Sequence, residues 1–201
     1  VLNVVCIKAG SKYGPEYVNN LQSGVARNLS QPFRFVCLTD DPTGIKCETL
    51  ELDEPLSGWW HKVTLFKERP YGLTGRILFL DLDVVITGSL DEMADTPSDF
   101  AIIRDYAKPK TYNSSAFLLR VGAHPQVWSE FDGNAVRRYP GDQDWITAKA
   151  PGADLWPDKW IPSYKFGRLQ EARPAGAKVV VFHGTPKPHD CGGWVKGAWA
   201  A

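Results

Sequence analysis

Apolar residues fall in short runs and helix-spaced series along this chain, and through its first half the two alternate. Leu2 to Ile7, apolar except for Asn3, predicts a first strand. A polar loop, 8–14, follows, and Pro15 stands where a first helical turn begins. Val18, Leu21, Val25 and Leu29 then recur at helical spacing. Phe33 to Thr39 predicts a second strand, closed by Asp40-Asp41-Pro42, and Ile45 to Leu52 a short third one. Trp59 to Glu68 predicts a helix that Pro70 to Gly75 breaks. Ile77 to Ile86 reads as one buried strand interrupted only by Asp81 and Asp83.

Beyond it, Ser89-Leu90-Asp91-Glu92 predicts a capping box opening a short helix. Phe100 to Arg104 and Ser115 to Val121 predict further strands, and Pro125 to Arg138 a helix with Val127, Trp128 and Phe131 on one side. Gly141-Asp142-Gln143-Asp144 opens another helix with Asp142 as its cap. Pro151 to Arg173 lacks a period, Val179 to Phe182 predicts a last strand, and the tail from His183 reads as loop. The alternation implies an α/β chain, residues 1–201 as a single domain, with a mostly parallel central sheet flanked by helices. Ligands gather at the carboxyl ends of such strands. Four loops are therefore expected to meet there: Lys8 to Tyr13, Asp40-Asp41, Asp81 to Asp83, and His183 to His189.

Composition narrows the function. Lys plus Arg and Asp plus Glu both number 23, so a broad basic face for nucleic acid is not expected. A phosphate-bearing small ligand needs only local positive charge. No run approaches the ~20 apolar residues of a transmembrane segment. The opening apolar stretch is too short for a secretory signal and has no basic leader; with no initiator Met, the native start need not be Val1. Cys6, Cys37, Cys47 and Cys191 show no C-x-x-C spacing. Reduced thiols and a cytoplasmic protein, free or peripheral at a membrane, are expected, with a Cys37–Cys47 bridge left open.

The chemistry begins at Asp81 and Asp83. In an extended chain residues one apart project to the same face, so two like charges share one buried surface. Burying them costs several kcal/mol each unless they are neutralised. A divalent cation does this, and hard carboxylate oxygens suit Mg²⁺ or Mn²⁺. His183 follows four apolar residues, and its imidazole would complete such a site and favours Mn²⁺. Gly184-Thr185-Pro186-Lys187-Pro188 offers a backbone amide and an ammonium to a phosphate. Tyr112-Asn113-Ser114-Ser115 reads either as a turn or as a hydroxyl-binding wall for sugar. For Asp142 a helix cap suffices; Gln143 and Asp144 are either solvated or functional.

Together these blocks resemble one family. Leu80-Asp81-Leu82-Asp83 with the following Ser89-Leu90-Asp91-Glu92-Met93 looks like the DXD segment of GT-A glycosyltransferases, especially glycosyltransferase family 8. Tyr112 to Leu119 is similar to that family's F-N-[SA]-G strand, Asp142-Gln143-Asp144 to its D-Q-D, and His183 to Pro188 to its H-x-G-x-x-K-P-W with a shortened turn. The blocks keep family order over roughly residues 1–190. Ser115 stands where the family has Gly, and His189 where it ends on Trp.

The resemblance implies a retaining hexosyltransferase that uses a nucleotide-sugar donor, a UDP-sugar, and Mn²⁺ or Mg²⁺. Asp81, Asp83 and His183 would bind the metal, while Lys187 and the Gly184 amide would hold the diphosphate. Gln143 and Asp142 would line the sugar's reactive face and Asn113 would meet donor or acceptor hydroxyls. Tyr13 would stack on the base, Asp40 would hydrogen-bond it, and Lys62 stands near an Arg that the family carries beside the donor. The acceptor would be a glycan, a lipid-linked sugar or a protein.

Two rivals remain at this level. A haloacid-dehalogenase-type phosphatase also ends an apolar strand with D-x-D-x-[TV], with Asp81 as nucleophile and Asp83 as general acid. Its motif usually sits on the first strand, whereas about 75 residues of α/β pattern precede Asp81 here, and it gives His183 to Pro188 no role. The other rival is a non-catalytic nucleotide-sugar-binding protein on the same fold.

Overall fold

A computed structural model describes residues 1–200. Strand β1 (Leu2–Lys8) leads through helix α1 (Pro15–Asn28) into β2 (Arg34–Thr39) and β3 (Glu48–Glu51). A 3₁₀ helix, Gly58–Phe66, precedes β4 (Arg76–Leu80), β5 (Val84–Ile86) and the single-turn α2 (Asp91–Ala94). Then come β6 (Phe100–Arg104), β7 (Tyr112–Arg120), the short α3 (Gln126–Ser129) and α4 (Ala135–Arg138), and α5 (Asp142–Lys149). The described chain ends through β8 (Asp154–Leu155), β9 (Val179–Val181) and α6 (Gly193–Trp199).

Seven strands form one sheet in the order β3-β2-β1-β4-β7-β6-β8. All neighbours run parallel except at β7, which is antiparallel to both β4 and β6. The expected mostly parallel α/β sheet is what the chain builds. Because central strands are covered on both faces, they read as unbroken apolar runs. In β4 the faces separate by alternation: Leu78 and Leu80 pack with Val4, Cys6 and α1 residues Val18, Leu21 and Val25. Ile77 and Phe79 pack on the other side with Phe117, Trp60, Val63, Phe66 and Trp145. Phe79 and Phe117 stack at 4.8 Å between centroids, so two directly paired strands share one aromatic contact. All four cysteines are free thiols.

Several local expectations change. The run Ile77–Ile86 is two strands: β4 stops at Leu80, Leu82 and Asp83 form a turn, and β5 pairs with β9 in a separate two-stranded sheet. The two carboxylates therefore flank a corner and do not share the face of one extended strand. Trp59–Glu68 coils as a 3₁₀ helix ending at Phe66. Pro125–Arg138 breaks into α3 and α4, because the Asp132 carboxylate accepts from the amides of Asn134 and Ala135 and turns the chain between them. No capping box forms at Ser89: Leu90 is the N-cap of α2, and Glu92 pairs instead with Lys178. Nor does Asp142 cap α5; Gly141 occupies that position. The tail read as loop contains a 3₁₀ turn, Pro188–Asp190, and α6, whose Val195 packs with Val85, Val180 and Phe182.

Candidate active site

Carboxyl ends of β1 and β4, the start of β7, the first turn of α5 and the loop after β9 line one cavity of about 560 Å³. Asp81, Asp83, Asn113, Asp142, Gln143, His183, Gly184, Lys187, Lys62 and Tyr13 all reach it. Of the sequence-predicted residues only Asp40 stays outside. Its carboxylate accepts from the Gly10 amide at 2.9 Å, tying the loops after β1 and β2 together.

The floor is an ionic network. Asp81 donates its amide to the Ser115 carbonyl at 2.8 Å, the last link of the β4–β7 ladder. Its carboxylate meets Lys62 Nζ at 2.8 Å. Lys62, with its side chain 8% exposed, also donates to the Ser114 carbonyl and Oγ at 3.2 Å and lies 3.9 Å from Asp142 Oδ2. Ser114 Oγ donates to Asp142 Oδ2 at 2.6 Å. Burial alone would lower the Lys62 pKa, but Asp81 and Asp142 outweigh it and raise it, so the ammonium stays charged. Burial pushes the Asp81 carboxyl up to about 6 against the pull of Lys62, and raises Asp142 in the same way.

Asp83 is held from the other side. Tyr13 Oη donates to its Oδ2 at 2.8 Å, and Lys187 Nζ pairs with the same oxygen. Burial and the neighbouring Asp83 raise the Tyr13 pKa, keeping the phenol a donor. The Tyr13 ring packs on Tyr17 with centroids 4.6 Å apart while still lining the cavity. Lys187 is aimed by its turn: Gly184 sits at φ +58°, a left-handed conformation that favours glycine, and Pro188 is buried.

The His183 ring lies against Tyr106 at 5.0 Å and Phe166 at 5.9 Å. Its Nε2 is buried with no hydrogen-bond partner, and burial lowers its pKa, leaving a neutral imidazole with a lone pair. Asn113 is buried and accepts from the Ser115 amide at 3.0 Å. Gln143 donates to Asp105 at 3.2 Å, and Asp144 pairs with Lys108 at 3.6 Å. Sequence reasoning missed Ser114, the Tyr13–Asp83 bond, Tyr106 and Trp59. Each depends on contacts between distant segments, and only the polar patch at Ser114 carried a local signal.

The donor types suit a hard or borderline divalent cation: two carboxylates, and an imidazole nitrogen that is buried and unpartnered. Among the described residues no group of three His, Cys, Asp or Glu side chains closes to metal-binding spacing. Instead each carboxylate is neutralised by a lysine.

The fold matches solved glycosyltransferases. Over 98% of this chain it superposes on the glycosyltransferase GlyE of Streptococcus pneumoniae TIGR4, with TM-score 0.74, 14% identity and 59% of that protein covered. The chain thus spans about three-fifths of that relative. The galactosyltransferase LgtC, solved in complex with donor and acceptor sugar analogues, matches 99% of the chain and is itself 96% covered, at TM-score 0.67 and 16% identity. Mouse xyloside xylosyltransferase 1 matches over 92% at TM-score 0.59, with 14% identity and 98% of that chain covered. No family model matches the sequence, and no curated protein does. The chain has the GT-A fold that these transferases share. No helix among the described residues is long and apolar enough to cross a membrane.

Proposed function

We propose that the chain is a retaining glycosyltransferase that moves a hexose from a UDP-sugar to an acceptor, with residues 1–201 acting as its catalytic domain. One observation carries this reading: acids, an unpartnered histidine and a phosphate-suited lysine turn, from three separate segments, meet in one cavity at the carboxyl ends of a GT-A sheet. Asp81, Asp83 and His183 would hold Mn²⁺, or Mg²⁺ in its place. When bound, the ion would add positive charge beside the departing diphosphate. Lys187 and the Gly184 amide bind the diphosphate, and Lys62 fixes Asp81 and Asp142 in position. Asp142, Asn113 and Gln143 face the transferred sugar.

A phosphatase using Asp81 as nucleophile is disfavoured: Asp81 follows the fourth strand, and the matching solved structures named above are glycosyltransferases. The test is a thermal-shift screen of UDP-sugars with and without Mn²⁺. A ligand at about 100 times its Kd stabilises by about 2.7 kcal/mol. A metal-dependent rise in Tm for at least one UDP-sugar is expected, followed by hexose transfer on an acceptor panel. Absence of any metal-dependent shift overturns the reading; a shift without turnover leaves a binding protein.

A further inference from the structure

Trp59 is the one residue of its 3₁₀ helix, apart from Gly58, that the fold leaves in solvent. Residues Trp60 to Phe66 are all buried, whereas Trp59 is 54% exposed. A single exposed apolar side chain needs no explanation by itself. Two further observations single this one out. It lines the same cavity as Asp81, Asp83, Asp142 and Lys187. Its indole edge is seated over Gly141, where an added Cβ would stand 3.5 Å from Nε1 and 3.9 Å from Asp144 Oδ2.

Charge orders the cavity from end to end. Lys187, Asp83 and Tyr13 cluster at one end. Lys62 follows, 2.8 Å from Asp81 and 3.9 Å from Asp142. Trp59, Gly141 and Asp144 make a separate group on the lining, with Lys108 3.6 Å from Asp144. A donor whose diphosphate lies on Lys187 and whose sugar lies by Asp142 leaves Trp59 to the molecule entering from solvent.

Resting on the transferase reading, we propose that Trp59 is the acceptor platform and that the acceptor presents a pyranoside ring. A pyranose has an apolar C–H face and a rim of hydroxyls. The flat indole takes the face, with weak C–H contacts to the π-system, and Asp144 accepts from the rim.

Saturation-transfer NMR and Kd titration of the full chain test this, using methyl β-galactoside, methyl α-glucoside, lactose and maltose, each with and without UDP and Mn²⁺. At least one glycoside is expected to receive saturation at its ring C–H protons. Trp59→Ala should weaken its Kd about tenfold, Trp59→Phe about twofold, and neither should change UDP affinity. The exposed position makes both variants foldable, checked by unchanged Tm. The platform is overturned if no glycoside contacts the wild type, if Trp59→Ala binds as the wild type does, or if it weakens UDP as much as glycoside. UDP response and glycoside response are read separately, so a failed transferase reading and a failed platform give different results.

Discussion

Lys187 and Tyr13 converge on a single oxygen, Asp83 Oδ2, which on the proposed function couples metal binding to diphosphate binding. A cation taking that oxygen would displace the ammonium and leave it to meet a phosphate. Metal and diphosphate should therefore favour each other, since each relieves what the other displaces. Lys187→Met is expected to bind Mn²⁺ alone about tenfold tighter and UDP with Mn²⁺ about tenfold more weakly, by titration calorimetry. An unchanged Mn²⁺ affinity would show that the pair does not act as a latch. Asp142 permits a prediction with a sign. Its folded pKa is raised by burial above the unfolded value of about 3.9. Between those two values the native state keeps a proton that the unfolded state has released, so stability falls as pH rises through the window and then levels. Asp142→Asn, which keeps an oxygen for Ser114, should lack that component, giving a flatter plot of Tm against pH. Identical slopes in melts of both proteins would contradict this. Asp81, Asp83, His183 and Lys187 were legible because each breaks an apolar run or sits in a Gly-Pro turn. Their pairings were not, since the Lys62–Asp81 bond spans 19 residues and the Lys187–Asp83 bond 104.

Elements followed their periodicity where burial was one-sided and departed from it where side chains competed with the backbone. Helix α1 forms as its spacing predicts, with Tyr17, Val18, Leu21 and Val25 buried on one face. The Asp132 carboxylate bonds local amides and splits a predicted helix into α3 and α4. The break after Asp81 was hidden because Leu82 and Val84 to Ile86 are as apolar as the strand before them; hydropathy does not reveal a change of sheet. Gly24, inside α1, tests the balance of propensity and packing. A Cβ there would meet Ile86 Cδ1 at 3.4 Å, an ordinary contact across the α1–β5 interface. Gly24→Ala should stabilise the protein by about 0.5–1 kcal/mol through the backbone freedom that glycine loses on folding. A lower midpoint in urea unfolding would mean that Ile86 cannot accommodate the methyl group.

At the scale of the molecule, the sheet gathers the carboxyl ends of β1 and β4 with the start of the reversed β7, and so sets Asp81 beside Ser115 and Asp83 beside Tyr13. Three of the four expected loops meet in the cavity. The fourth, at Asp40, braces the first from outside. By itself the sequence determined the α/β class and marked out Asp81, Asp83, His183 and Lys187. Apolar periodicity is a local property, and a charge in an apolar run is conspicuous wherever the chain goes. Tertiary structure decided which charges neutralise which, that Asp81 and Asp83 flank a corner, and that Trp59 faces the cavity while Trp60 is buried. Those outcomes depend on strand order and on the reversal at β7, which bring distant segments within a few ångströms of one another.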